Sequence, residues 1–270
     1  MPWTDEFVDI EGASRPAPRY ATQVKMLWDQ HCFYIAARLE EPHLCATLTE
    51  HDAIVFHDND FEIFIDPDGD ARNYYEIEVN AHNTVFDLLL RRTYRDGGPA
   101  LHEWDFAGLR TAVFCDGTLN DPSDIDRGWT VELALPWEAL AEFANTPSPP
   151  EDGDTWRVNF SRVQWPYVVS NGRYQKPADA KESNWVWSTQ GTVNMHIPQR
   201  WGYVTFEQAL PSYPSRSFVN RMTSWSPASD SMRLRRRSKA DSGQGRRVTY
   251  PALSTPNVAS KNMNARIPGK

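Results

Sequence analysis

Residues 57–80, HDNDFEIFIDPDGDARNYYEIEVN, contain two runs whose side chains alternate between two faces. Within Phe61–Asp66, Ile63 and Ile65 fall on one side and Glu62, Phe64 and Asp66 on the other. From Tyr74 to Asn80, Tyr75, Ile77 and Val79 oppose Glu76, Glu78 and Asn80. A period of two in β-branched and aromatic residues predicts strands. Between them lies Pro67-Asp68-Gly69-Asp70. Pro presets φ, Gly accepts positive φ and Asp bonds its own backbone, so this is a turn. The result is a hairpin with one apolar and one acidic face. A turn centred near Gly69 and Asp70 sets Glu62 opposite Glu78 and Phe64 opposite Glu76. Like charges set opposite each other destabilise a sheet unless compensated. A cation, a raised pKa or an arginine such as Arg162 would each compensate them.

The rest of the chain follows the same pattern. Strands are predicted at 22–28, 33–39, 84–90, 109–114, 130–135, 156–164, 186–188 and 201–206, with a weak edge strand at 7–10. A helical turn is predicted within 138–143, and a long polar loop over 166–184. Many short strands with almost no helix indicate an antiparallel β-sandwich or barrel. The periodicity stops after residue 207. The expected organisation is one β-sandwich domain over residues 1–207 and a disordered, basic, low-complexity tail over 208–270.

Charge is divided along the chain. The 270 residues carry a net charge of −8, but from residue 211 onward Lys and Arg exceed Asp and Glu by ten. The body is therefore strongly acidic, which argues against nucleic acid as a partner, because phosphate contacts need Lys and Arg. No stretch is long and apolar enough to span a membrane. Nothing at the start of the sequence as given reads as a signal peptide. The cysteines, Cys32, Cys45 and Cys115, lack metal-ligand spacing and are expected to be free. Oligomeric state is left open. Eleven tryptophans are more than a core of this size needs, so some are candidate ligand platforms. Trp28, Trp129, Trp137, Trp156 and Trp201 sit in strand motifs and read as core. Trp104, Trp165, Trp185 and Trp187 sit in or beside loops.

The order of motifs resembles the family 9 carbohydrate-binding modules, in their family 9-like branch. The residues that carry the resemblance are VKMLWD (24–29), FYIAARLEEP (33–42), HDNDFEIFIDPDGD (57–70), YYEIEVN (74–80) and GTLNDP (117–122). GWTVELALPW (128–137), GDTWRVNFSRVQW (153–165), NWVWS (184–188) and RWGYVTF (200–206) complete it. The resemblance implies an immunoglobulin-like or jelly-roll-like sandwich and non-catalytic glycan binding of the kind attached to xylanases. It also implies structural calcium and action outside the cytoplasm, extracellular or periplasmic, in polysaccharide catabolism. In the family's best-known type two tryptophans clamp a sugar. Phe56 and Met195 stand in their places here. Glu62 keeps an acidic position, and Glu78 stands where an arginine is expected.

The candidate glycan contacts are therefore Phe56, Glu62, Glu78, Asn80, Arg162, Trp165, Trp187 and His196. Alternating oxygens around a glycine turn suit a hard cation, which nominates Asp66, Asp68 and Asp70, with Asp58 upstream, for calcium. Two alternatives stand beside binding. One is a glycoside hydrolase using the Glu62, Glu76 and Glu78 face, since paired carboxylates can cleave glycosides. The other is a structural surface module that has lost its ligand.

Overall fold

The computed structural model describes residues 2–207 and a short strand at 233–235. In chain order the strands are β1 (Val8–Asp9), β2 (Thr22–Trp28), β3 (Cys32–Glu40), β4 (Asp60–Asp66), β5 (Tyr74–Asn80), β6 (Val85–Leu90), β7 (Ala100–Leu101) and β8 (Arg110–Asp116). They continue with β9 (Gly128–Pro136), the single-turn helix α1 (Trp137–Ala141), β10 (Thr155–Gln164), β11 (Val168–Ser170), β12 (Arg173–Gln175), β13 (Ser183–Val186), β14 (Gly202–Glu207) and β15 (Arg233–Arg235). The larger sheet runs β1-β13-β10-β4-β5-β6-β7, with β14 also paired to β10 and β15 to β14. The smaller runs β2-β3-β9-β8, and every pairing in both sheets is antiparallel. The expected tail over 208–270 lies outside the described residues, apart from β15.

The core lies between the sheets. Phe61, Ile63 and Ile65 of β4, Tyr75, Ile77 and Val79 of β5, and Trp156, Val158 and Phe160 of β10 face Val24, Ile35, Val131, Leu133 and their neighbours. Alternation then decides which face of the larger sheet each remaining residue occupies. Trp28, Trp137 and Trp156 gather around Phe206, with ring centroids 5.1–5.8 Å from it.

The outer face of the larger sheet is covered as well. Phe64, Tyr74, Phe86, Leu88, Leu90 and Trp201 form a second apolar cluster with Ile10, Val55, Val186 and Met195. Strands buried on both faces are normally apolar throughout, yet β4 and β5 carry acidic residues into this layer. The central hairpin has the expected register, with Glu62 paired to Glu78 and Phe64 to Glu76.

The loop predicted at 166–184 contains a hairpin, β11–β12, whose two-residue turn is Asn171-Gly172. Both have positive φ, 53° and 69°, the type I′ geometry for which Asn-Gly is the preferred pair. The three cysteines are free, and Cys32 and Cys45 are buried. Among the described residues no helix is long and apolar enough to cross a membrane.

Candidate functional site

A pocket of about 340 Å³ opens on the outer face of the larger sheet. Glu62 on β4 and Glu76 and Glu78 on β5 supply its carboxylates. Phe64 on β4 and Phe86 and Leu88 on β6 bring apolar side chains, and Tyr94, His102, Met195 and His196 come from loops. Ile54, Phe56, Tyr94 and Val193 line it while remaining exposed. A second cleft, of about 350 Å³, lies against the smaller sheet around Arg38, Phe114 and Trp129. It holds no comparable group of buried acids.

Burial governs the electrostatics. Glu62, Glu76 and Glu78 are each no more than 5% exposed. Burial pushes the Glu62 carboxyl up to about 7. Burial, then the neighbouring Glu62, raises Glu76 well above the usual carboxylate range. Glu78 rises for the same reason, with Asp60, Glu62 and Glu76 adding to it, against the opposing effect of the Phe56 N–H. That N–H donates to Glu78 Oε2 at 2.8 Å.

The aromatic wall is assembled locally. The Thr93 hydroxyl and Asp96 cap a short 3₁₀ turn that presents Tyr94. Tyr94 meets His196 edge-on at 4.5 Å. His196 Nδ1 lies 3.0 Å from the Tyr74 hydroxyl, and burial lowers its pKa to about 4, so it is neutral near pH 7. Beneath it, Trp201 packs on Phe64 and Tyr74 and donates its indole N–H to the Met195 carbonyl at 2.8 Å. That bond fixes the loop that carries Met195 and His196.

The structure brings Phe56, Glu62, Glu78 and His196 into this pocket. Trp165 stands beside it, half-buried, with Lys176 over its ring at 3.8 Å. Three candidates lie elsewhere. Arg162 shares the inward face of β10 with Trp156, Val158 and Phe160, and is almost wholly buried. Its guanidinium bonds Glu41 at 3.0 Å, with Thr22 and Gln164 as further partners. It therefore does not compensate the acidic face. Trp187 packs in the core against Phe160 at 5.6 Å. Asn80 is fully buried and donates to Leu48 O and Asp58, while its carbonyl accepts from the N–H groups of His82 and Thr84. It ties down a turn and does not face a ligand.

The proposed calcium ligands also separate. Asp66, Asp68 and Asp70 converge, with ligand oxygens within 4.8 Å of one another. Asp58 sits at the other end of β4, roughly 20 Å away for seven residues at ~3.3 Å each. It accepts from Thr47 and Leu48 N–H groups and from the Thr47 hydroxyl. The carboxylates of the Asp66–Asp70 turn are engaged too. Asp66 accepts from Gly69 and Ala71, Asp68 from Asp70 and Asn145, and Asp70 from Arg72. Phe64, Phe86, Leu88, Tyr94 and His102, with Ile54 and Val193, line the pocket without being among the sequence candidates. The outward period of β6 was the available signal for Phe86 and Leu88.

The family described as "Carbohydrate family 9 binding domain-like" matches residues 2–151. The chain belongs to this family. The matched span includes Phe56, Glu62, Glu76 and Glu78, while Met195 and His196 lie beyond it. None of the curated proteins compared with it matches. Among solved structures, a proposed carbohydrate-binding protein from Bacteroides uniformis is 16% identical, with a TM-score of 0.53 over 75% of this chain and 85% of that one. That likeness shows a shared fold. A family 9 module from Caldicellulosiruptor kristjanssonii, solved with cellotriose, gives 15% identity and a TM-score of 0.49 over 81% of this chain and 88% of that one.

Proposed function

We propose that this family 9-like domain binds carbohydrate without cleaving it, in the outer-face pocket. One observation carries this reading: buried carboxylates and a half-exposed apolar wall converge on a single cavity. Carboxylates accept hydrogen bonds from paired sugar hydroxyls, and aromatic rings cover the apolar C–H face of a pyranose. The volume falls within the range of small-ligand sites. Phe56 and Met195, the residues at the family's clamp positions, both line it, so the altered clamp still surrounds a cavity. The same reading assigns the domain a role in polysaccharide breakdown, xylan included, outside the cytoplasm. Isothermal titration with soluble xylo- and gluco-oligosaccharides tests it. Saturable binding that weakens in Phe56→Ala is expected. No heat and no chromatographic retardation with any glycan, for a chain shown to be folded, overturns it.

A further inference from the structure

The pocket's acids have, among the described residues, no basic side chain to neutralise them. Asp60, Glu62 and Glu78 each offer an oxygen within 4.8 Å of the others, and all three are buried. Among the described residues no Lys, Arg or His forms an ion pair with any of them. Arg162 is committed to Glu41. Lys176 lies over the Trp165 ring and donates to the His57 carbonyl. Buried acids without a basic partner stay protonated or bind a metal.

A second observation is independent of the clustering. Asp60 is fully buried, and its Oδ1 accepts from Val163 N at 3.2 Å. Its Oδ2 has no hydrogen-bond partner at all. Orphaned acceptors of this kind are rare in folded proteins and call for a missing partner. Glu76 Oε2, on the neighbouring strand β5 and the same face of the sheet, is orphaned as well.

We infer that Asp60, Glu62 and Glu78 form a site for a hard divalent cation, calcium by its donor set, at the base of the glycan pocket. The ligands are all oxygen, with no imidazole or thiolate among them, which favours calcium over zinc. Calcium–oxygen distances of 2.3–2.6 Å set opposite ligands up to about 5 Å apart, so a 4.8 Å cluster can enclose the ion without rearranging the strands. Three carboxylates fall short of the six to eight oxygens that calcium takes. Glu62 and Glu78 also line the cavity, so the remaining positions face the space where a sugar would lie and are open to its hydroxyls or to water. The ion would then stand in for the arginine missing at Glu78. That last consequence rests on the carbohydrate reading. The cation site does not.

The test uses the full chain stripped with EDTA and titrated with calcium chloride at pH 7.5. Calorimetry in two buffers of different ionisation enthalpy should show a bound ion and released protons, because the ligands must deprotonate. Asp60→Asn and Glu78→Gln should each weaken calcium binding about tenfold or more, and Asp68→Asn/Asp70→Asn should not. Circular dichroism checks folding, and Glu78→Gln serves alone if Asp60→Asn fails to fold. No calcium binding by the folded chain, binding that survives both cluster substitutions, or binding lost only in the turn variant would overturn the site. Calcium bound with no glycan bound leaves the site standing and sinks the carbohydrate reading. Glycan binding unchanged in EDTA sinks the ion's part in holding the sugar.

Discussion

The indole N–H of Trp165 donates to the backbone carbonyl of Phe56 at 2.8 Å. The N–H of Phe56 is held on its other side by Glu78. One short turn is thereby fixed between a rim tryptophan and a floor carboxylate, and its phenyl ring is left 38% exposed.

Two substitutions separate the ring from its support. Phe56→Ala should weaken glycan binding about tenfold, or ~1.4 kcal/mol, with a smaller change in Tm than a core truncation because the side chain is partly in solvent. Trp165→Phe keeps an aromatic surface but deletes the N–H, and should weaken binding by a smaller factor. Titration calorimetry beside thermal melts reads both. Equal affinity in all three proteins would mean that this rim does not touch sugar.

Arg162→Met should destabilise the fold and leave the binding constant alone. It strands Glu41, which is 2% exposed, as an unpaired buried carboxylate. Breaking a buried ion pair on one side costs about 3–5 kcal/mol, measurable by urea unfolding. A loss of affinity without a loss of stability would put Arg162 back beside the ligand.

Stability should depend on pH in a direction set by the pocket. The folded Glu62 carboxyl titrates near 7 against an ordinary 4.5. Its contribution is complete below 4.5 and disappears as pH rises through 7. Asp60, Glu76 and Glu78 shift the same way, chiefly through burial, and add to the loss. His196 acts oppositely: held near 4 against 6.5, it contributes stability above 6.5 that is lost as pH falls through 4. In EDTA, Tm should therefore fall as pH rises through 7, and Glu78→Gln should flatten the fall. A flat profile in the unsubstituted chain would refute the burial argument.

Gly202→Ala should be poorly tolerated. A Cβ at this position would lie 2.3 Å from the Trp187 ring, which packs directly on the glycine backbone. Overpacking of this kind costs about 1–3 kcal/mol. A Tm unchanged by the substitution would show that Trp187 has room to move.

The hairpin at 60–80 was legible from its alternation, down to the pairing of Glu62 with Glu78, because a turn and two periods of two leave one register. Arg162 was misread for want of the same test. Counting Trp156, Val158, Phe160 and Arg162 along β10 places the arginine inside, but a charged side chain suggests a surface until its partner Glu41 is seen 121 residues away. The β11–β12 hairpin was missed although VVSNGRYQ contains an Asn-Gly turn, because so short a ribbon has little periodicity to find. Asp58 was grouped with the Asp66–Asp70 turn by composition, although the length of β4 separates them. Tyr94 and Val193 reach the pocket through loop geometry, which no local pattern encodes.

Phe61, Ile63, Ile65, Tyr75, Ile77 and Val79 hold the two sheets together, while Glu62, Phe64, Glu76 and Glu78 between them line the outer-face pocket. Packing and recognition are therefore interleaved, one residue apart, along the same two strands. Substitutions confined to Glu62, Phe64, Glu76 and Glu78 can redirect this domain toward another ligand while the interior stays as it is, so specificity can drift without passing through an unfolded intermediate. A single-residue insertion in either strand would do the reverse. It would exchange the two faces and abolish fold and recognition together.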